Sequence, residues 1–204
     1  MLKIYGIPRS RAFRVLWMAK ELGLDYENVP IGTDGSESRT PEFLKINPNG
    51  HIPAIDDDGF ILWESMAINL YLVKKHSPAS LYPARLEDEA RAWQWSFLGM
   101  TEVERPVLTA LFHRAILPED KRDAALADDS ERQLAAPLKV LDSAVAHAPY
   151  LLGEHFTVAD LNLASILAWA RPARIDLGAV PKMADWFKRC SDRPAARAAR
   201  DLQR

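Results

Sequence analysis

A serine near the start of the chain lies where a side chain could stabilise an anion. Ser10 follows a short stretch of alternating apolar and polar residues, 2–5, and precedes a helical pattern. The N-terminus of a helix presents backbone N–H groups without intrahelical partners and the positive end of the helix dipole. This position therefore suits an anionic ligand. The structural alternative is that Ser10 is only the N-cap of the helix, a common role for serine.

A second segment could bind an extended peptide. Pro53 follows Ile52 at the start of a predicted strand. If the bond between them is cis, the N–H and C=O of Ile52 turn outward and can pair with a ligand as a neighbouring strand would. An ordinary trans bond is the alternative, since only about 5–6% of X–Pro bonds are cis.

A third segment combines an acid with a hydroxyl at a helix start. Ser65 and nearby backbone N–H groups can bind a carboxylate, and Glu64 can bind an ammonium group. An α-amino acid end group carries both charges and matches this pair. The alternative is structural: Ser65 is an N-cap, and Glu64 complements the helix dipole.

The elements that must position these residues alternate between strand and helix. Thr40 and Pro41 predict an N-cap followed by the first residue of a short helix. The run 56–59, Asp-Asp-Asp-Gly, is typical of a hairpin turn, so the predicted sheet is mixed. This order predicts an α+β, thioredoxin-like N-terminal domain. The predicted strands are 2–5, 26–31, 52–55 and 60–63, and the predicted helices are 10–24, a short one from 41, and 65–75.

The rest of the chain carries only helical patterns and predicts an all-α helical bundle. We expect a bend or break in the first helix at Pro106, and a capping box at Ser130 and Gln133 in the second. Segment 77–83 contains two prolines and is the predicted linker, which gives domains 1–78 and 85–204. The predicted helices are 86–116, 130–145, 157–171 and 181–190.

One helix start in the second half is interpreted as a folding element. Thr157 and Asp160 have near capping-box spacing, with Asp in place of Glu, and Phe156 and Leu161 have the spacing of a hydrophobic staple. Local stabilisation accounts for all of these residues, so we assign them no chemistry.

Composition excludes several classes of function. The net charge of −2 gives no support for a nucleic acid or membrane partner. The basic run 189–204 is interpreted as the solvated face of the last helix. A single cysteine, Cys190, allows no intrachain disulfide, and neither a signal peptide nor a stretch of about 20 apolar residues is present. We therefore expect a cytoplasmic protein without a metal centre.

The four segments described above, at Ser10, at Ile52 and Pro53, at Glu64 and Ser65, and at 156–160, resemble the cytosolic glutathione transferase family in their order and spacing. The resemblance covers essentially the whole chain. The opening resembles its serine-type classes, such as theta and delta, in which the active serine lies five residues after a strand tyrosine, as Ser10 follows Tyr5. The Ile52–Pro53 step is similar to the family's cis-proline loop. Glu64 and Ser65 are similar to its element for the γ-glutamyl end of glutathione, and segment 156–160 to its capping box.

The chain also departs from the family pattern. His51 stands where many relatives carry Lys or Gln for the glycyl carboxylate of glutathione. Arg11 follows the serine directly, where small residues are usual, and is the alternative to Ser10 as the group that stabilises the sulfur. Cys190 lies far from the position of the active cysteine in cysteine-type members, which disfavours thiol–disulfide exchange.

The resemblance implies an enzyme that conjugates the glutathione thiolate to hydrophobic electrophiles. Ser10 would donate a hydrogen bond to the sulfur, with glutathione as co-substrate and no further cofactor. The small electrophile would bind an apolar site between the loop of Ile7 and the helical domain. The candidates for that site in the helical domain are Leu108, Phe112 and Trp169. For each of them the structural alternative is an ordinary place in the helix core.

The resemblance further implies a homodimer. It leaves alternatives open for the function, because a fold does not determine an activity. One is a non-catalytic binding or scaffold protein, against which the complete set of glutathione-site residues argues. Others are a glutathione-dependent isomerase, whose double-serine-cysteine signature is absent, and a peroxidase. Retention on immobilised glutathione would separate the scaffold from the enzymes.

Overall fold

The computed structural model describes residues 1–76 and 81–202, which form two compact units. The first unit contains the residues before the gap at 77–80, and it also includes Asp192 and the described residues after it. The second unit runs from the gap to Ser191. The predicted linker lies largely outside the described residues, as does the predicted boundary at 78. The predicted second domain, 85–204, includes a last segment that the structure groups with the first unit.

The first unit contains the mixed sheet that the sequence predicts. Its strand order is β2-β1-β3-β4, with β1 parallel to β2 and antiparallel to β3. Together with three helices this confirms the thioredoxin-like fold. The strands are β1 (Leu2–Tyr5), β2 (Tyr26–Val29), β3 (Ala54–Asp57) and β4 (Phe60–Trp63).

The hairpin between β3 and β4 has a loop of two residues, Asp58 and Gly59. Both have positive φ, 52° and 93°, as a type I′ turn requires. The N–H of Gly59 donates to Oδ1 of Asp56 at 2.7 Å. Strand β3 begins two residues later than predicted, because the ladder starts at Ala54, which pairs with Tyr5. The Ile52–Pro53 step therefore lies in a loop at the end of the sheet.

Three helices complete the predicted order of this unit. Thr40 is the N-cap of the second and accepts from the N–H of Phe43 at 3.3 Å, which confirms the Thr-Pro signal. The first helix is buried over residues 12–19 because it contacts the third helix, the sheet and a C-terminal helix. The helices are α1 (Ala12–Glu21), α2 (Pro41–Leu44) and α3 (Ser65–His76).

The C-terminal segment forms a helix that packs on α1 and is labelled α9 by its place in the chain (Pro194–Asp201). The last helix predicted from the sequence ends at residue 190, so a separate helix here is a finding of the structure. Arg193 donates two hydrogen bonds of 2.7 Å to the buried carboxylate of Glu21. Trp17 donates to the same carboxylate at 3.0 Å. The interpretation of 189–204 as a solvated helix face is therefore incomplete, because part of this segment anchors the end of the chain.

The second unit is all-helical, as predicted. The break near Pro106 is a wide π turn at Gly99–Val103, and a second π turn covers Phe112–Ile116. Pro106 has no N–H to donate to the carbonyl of Glu102, which explains why the helix changes pitch there. The helices are α4 (Leu86–Leu98), α5 (Glu104–Leu111), α6 (Ala124–Ala144), α7 (Val158–Leu167) and α8 (Pro181–Ser191).

Helix α6 begins earlier than predicted. Its N-cap is Asp123, whose carboxylate accepts from the N–H of Leu126 at 2.9 Å. The predicted capping box at Ser130 is wrong, since Ser130 lies inside the helix and donates to the carbonyl of Leu126 at 2.8 Å. Over the ranges 1–76 and 81–202, no helix has the length and apolarity to cross a membrane.

The start of α7 confirms the predicted folding element. Thr157 is the N-cap, and its N–H and hydroxyl both donate to Oδ2 of Asp160, at 2.9 and 3.1 Å. The other carboxylate oxygen accepts from the N–H of Leu151 and from Nε1 of Trp186, both at 2.8 Å. Burial raises the pKa of Asp160, while these donated hydrogen bonds act to lower it. Asp160 thus joins α7 to a preceding loop and to α8.

Candidate functional site

Ser10 lies in the turn between β1 and α1 and is only 7% exposed. Its hydroxyl donates to the carbonyl of Ile7 at 2.7 Å and accepts from the N–H of Ala12 at 3.1 Å. Ser10 therefore performs part of the capping role that was its structural alternative. A hydroxyl has one proton, so donation to a ligand requires that proton to turn away from Ile7.

The N–H groups of the first helical turn are largely used within the turn itself. Those of Phe13 and Arg14 donate to the carbonyls of Ser10 and Arg11, at 3.1 and 3.2 Å. The expectation of spare N–H groups is therefore wrong for these two and for Ala12. An anion at this helix start would therefore depend on the Ser10 hydroxyl, once its proton turns from Ile7, and on the helix dipole.

Gly6 allows the loop of Ile52 to approach the Ser10 turn. Its φ is 130°, and a Cβ there would lie 2.8 Å from Cβ of Ala12 and 3.2 Å from Cβ of Ile52. Any other residue would push these segments apart. The close approach brings Ile52 beside the start of α1, so the first two candidate segments are neighbours.

The bond between Ile52 and Pro53 is cis, as the family resemblance implies. Within the described part of the chain, neither the N–H nor the C=O of Ile52 takes part in a hydrogen bond. The side chain of Asn47 stabilises this loop, since its Nδ2 donates to the carbonyl of His51 at 2.7 Å. The side chain of His51 is exposed. The backbone of Ile52 is thus open to an extended ligand.

Ser65 is the first residue of α3 and is 3% exposed. Its Oγ accepts from Nη1 of Arg14 at 3.2 Å, which leaves the hydroxyl proton for a ligand. Glu64, immediately before it, is exposed and has a φ of 74°. A left-handed conformation costs a non-glycine residue about 1–3 kcal/mol, and such residues cluster at functional sites.

Arg14 is the residue of the candidate site to which the sequence alone assigned no role. It is fully buried on α1, four residues after Ser10, and it connects this helix to Ser65 on α3. Its carbonyl also accepts from Nδ2 of Asn69 at 3.3 Å. The available signal was an arginine inside the otherwise apolar stretch 12–19, because a buried charge requires partners. Through Arg14, the third candidate segment joins the first two.

Tyr5 lies at the end of β1, where its ring packs edge-on against Phe43. Burial raises the pKa of its hydroxyl, and the charge of Asp56 raises it further. The phenol therefore keeps its proton at neutral pH, in agreement with the structural role expected for it. Arg11 directly precedes α1, is half-buried and has helical backbone angles.

The apolar candidates of the second unit fall into two groups. Leu108 and Trp169 are partly buried and pack against the same core cluster, formed by Ala110, Leu111 and Ala173. Phe112 is 40% exposed and lies in the second π turn. Ile7 belongs to the first unit, where it is half-buried and accepts the Ser10 proton.

Comparisons with known proteins agree with this architecture. The family model described as the N-terminal domain of glutathione S-transferase matches residues 1–74, and that of the C-terminal domain matches residues 105–194. Glutathione S-transferase 3 of Zea mays is 35% identical over an alignment of 205 residues that covers 95% of this chain and 90% of that protein.

Two solved structures are similar to the whole chain. A theta class glutathione S-transferase from Xanthomonas axonopodis pv. citri, with glutathione bound, has a TM-score of 0.91 at 29% identity and covers 97% of this chain and 96% of its own. Glutathione S-transferase I from maize, in complex with an atrazine glutathione conjugate, has a TM-score of 0.88 at 30% identity, with coverage of 99% and 97%.

Proposed function

We propose that this chain, which belongs to the glutathione S-transferase family, conjugates the thiol of glutathione to hydrophobic electrophiles. The chain is a glutathione S-transferase by its similarity to relatives of that activity over nearly its whole length. The observation that carries the finer proposal is the convergence of Ser10, Ile52 and Ser65 on α1, through Gly6 and the buried Arg14.

Each of these groups matches one part of glutathione. The N–H and C=O of Ile52, which make no hydrogen bond within the described residues and are held by the turn at Pro53, pair with the cysteinyl backbone in the manner of an added strand. Ser65 donates to the γ-glutamyl carboxylate, and Glu64 accepts from its ammonium group. His51 is the candidate for the glycyl carboxylate. The sulfur is then placed at the start of α1.

Ser10 activates the sulfur by donating a hydrogen bond to the thiolate. A free thiol has a pKa near 8.5, so only a few per cent is ionised at neutral pH. Lowering that pKa by two units requires about 2.7 kcal/mol of preferential stabilisation of the anion. Ser10 gives up its bond to Ile7 in the process, which offsets part of the gain. The charge of Arg11 is the alternative source of the same stabilisation.

The thiolate sulfur forms a new bond to the electrophilic carbon. A halogenated aromatic then loses halide with the electron pair of the broken bond, whereas an epoxide opens to an alkoxide and an enal becomes an enolate, each of which takes a proton from water. The helical unit supplies an apolar surface for the electrophile at Leu108, Phe112 and Trp169. Holding the reactant against the sulfur lowers the barrier by proximity. The relative solved with an atrazine glutathione conjugate supports an aromatic electrophile.

Retention on immobilised glutathione, with elution by free glutathione, tests the binding half of this proposal. Loss of free thiol in the presence of halogenated aromatics, epoxides and enals tests the chemical half, whereas loss with peroxides, which oxidise glutathione to its disulfide, would indicate the peroxidase alternative. A protein that is retained but consumes no thiol with any of these would be a binding module. A protein that is not retained would contradict the glutathione site itself.

Replacing Ser65 with alanine is expected to weaken glutathione binding. The change removes the proposed donor to the γ-glutamyl carboxylate and leaves the charged Arg14 without the oxygen it contacts. Loss of a hydrogen bond to a charged group costs about 1–3 kcal/mol, so affinity should fall about 5- to 150-fold. Calorimetric titration with glutathione measures this loss.

The matched control is Ser130→Ala, which removes another buried serine hydroxyl, but in the helical unit. It should leave glutathione affinity unchanged. If a folded Ser65→Ala variant binds glutathione as tightly as the unchanged protein, Ser65 does not belong to the site.

We propose that two copies of the chain form a two-fold dimer, the thioredoxin-like unit of one against the helical unit of the other. Each unit exposes large aromatic side chains that suit such an interface. On β4, Phe60 is 48% exposed, and on α4, Trp93 is 43% and Phe97 65% exposed. Sedimentation should give a species of about twice 22.9 kDa at micromolar concentration.

A charge on the proposed interface should separate the copies. Phe97→Asp is expected to sediment as a monomer, since it would bury an unpaired carboxylate. Leu202→Asp, at another exposed apolar position, should remain dimeric. A monomeric unchanged protein would contradict the dimer.

A further inference from the structure

Arg114 connects three segments of the helical unit. It lies in the π turn that follows α5, and its side chain is 17% exposed. Nη1 donates to the backbone carbonyls of Ala173 and Arg174, at 3.2 and 3.3 Å. These carbonyls end the short turn that follows α7. The guanidinium therefore caps this turn, as basic side chains do at helix C-termini.

The other side of the guanidinium is held by α6. Nη2 donates to Oδ1 of Asp128 at 2.8 Å and to Oε2 of Glu131 at 2.6 Å. The second oxygen of Glu131 accepts from the N–H of Asp176 at 2.7 Å, just past the capped turn. Four acceptors thus surround one planar fork, a geometry that arginine provides and lysine does not.

The capped turn carries Trp169. The N–H of Ala173 donates to the carbonyl of Trp169 at 3.0 Å, and the N–H of Ile175 donates back to Ala170 at 3.0 Å. Ala173 is fully buried, and both Trp169 and Leu108 pack against its cluster. A shift of the carbonyl of Ala173 therefore moves the surface that Trp169 and Leu108 share.

We propose that Arg114 is a positioning residue for the electrophile, acting through Trp169 and Leu108. This inference rests on the proposed function, which places the electrophile on those two side chains. The Arg114 guanidinium is bound by four protein acceptors, so we assign it no contact with glutathione or with the electrophile. It fixes the turn of Trp169 against α5 and α6, so that the apolar surface presents one arrangement to the incoming electrophile.

Arg114→Met tests this role, because methionine keeps much of the side-chain length and removes all four polar contacts. We expect KM for chlorodinitrobenzene, at saturating glutathione, to rise about tenfold, the size of effect that one charge-assisted hydrogen bond produces. KM for glutathione should change by less than about twofold, since a twofold change corresponds to a small fraction of the free energy of one hydrogen bond. Arg114→Lys should restore part of the lost affinity.

The matched control is Arg132→Met, which removes an exposed arginine of α6 that pairs with Asp129. It should change neither KM. If Arg114→Met does not fold, Glu131→Gln weakens the same cluster more mildly and takes its place. A folded variant with unchanged KM for the electrophile, or with both KM values raised equally, would overturn the proposal.

Binding of anilinonaphthalenesulfonate separates this inference from the proposed function. If the unchanged protein conjugates no electrophile, the proposed function fails, and the affinity for this apolar probe then decides the role of Arg114. Weaker binding in Arg114→Met than in Arg132→Met supports the positioning role, and equal binding overturns it.

Discussion

Replacing Ser10 with alanine should lower kcat by about 10²-fold, because removal of one preorganised donor to a developing or bound anion costs about 10²–10³ in rate. A water molecule in place of the hydroxyl would reduce the loss. The affinity for glutathione should change little, since the proposed binding contacts come from Ile52, Glu64 and Ser65. Steady-state kinetics with saturating glutathione measures the effect.

Two companion variants identify the donor. Ser10→Thr keeps a hydroxyl at the same carbon and should keep most of the activity. Arg11→Ala leaves the Ser10 hydroxyl in place and should also keep most of the turnover. Ser10→Ala also removes the acceptor for the N–H of Ala12, so the melting temperature must be checked alongside the rate. If Arg11→Ala abolishes turnover and Ser10→Ala does not, Arg11 is the stabilising group.

Of the variants proposed, Asp160→Ala should cause the largest loss in the free energy of unfolding, with little effect on the chemistry. The carboxylate accepts four hydrogen bonds in a site with no exposed surface. Each buried donor left unpaired costs about 1–3 kcal/mol, so we expect at least about 3 kcal/mol. For a chain of this size the melting temperature falls about 2–4 °C for each kcal/mol. Thermal unfolding followed by circular dichroism measures the change.

Asp160→Asn is the conservative control. It keeps the volume and one acceptor oxygen, so its loss of stability should be smaller than that of the alanine variant. Asp129→Ala, at an exposed position on α6, should leave the melting temperature almost unchanged. Near-normal kinetics at low temperature is expected for all three. An unchanged melting temperature in Asp160→Ala would contradict the role of this residue as a folding element.

Local signals explain which parts of the fold could be predicted. Thr40 with Pro41, Asp58 with Gly59, and Thr157 with Asp160 act within three residues of one another, and each forms the predicted cap or turn. The predicted start of α6 was wrong because local signals compete there. Several residues before 131 could serve as the N-cap, and the sequence does not say that Asp123 is the one used.

Long-range contacts explain what could not be predicted. Arg14 meets Ser65 across 51 positions, Arg114 meets Ala173 across 59, and Arg193 meets Glu21 across 172. No spacing rule for helices or strands reaches so far. The sequence indicated the candidate residues of the proposed glutathione site through short motifs, but the contact between Arg14 and Ser65 that joins them became visible only in the folded chain.

The ultraviolet thiolate band of bound glutathione, followed against pH, tests the central claim most directly. In the unchanged protein the band should persist well below the ordinary thiol pKa of about 8.5. In Ser10→Ala the apparent pKa should rise toward that value, and in Arg11→Ala it should rise much less. A protein that binds glutathione without any thiolate band at neutral pH would contradict the account and indicate a binding module.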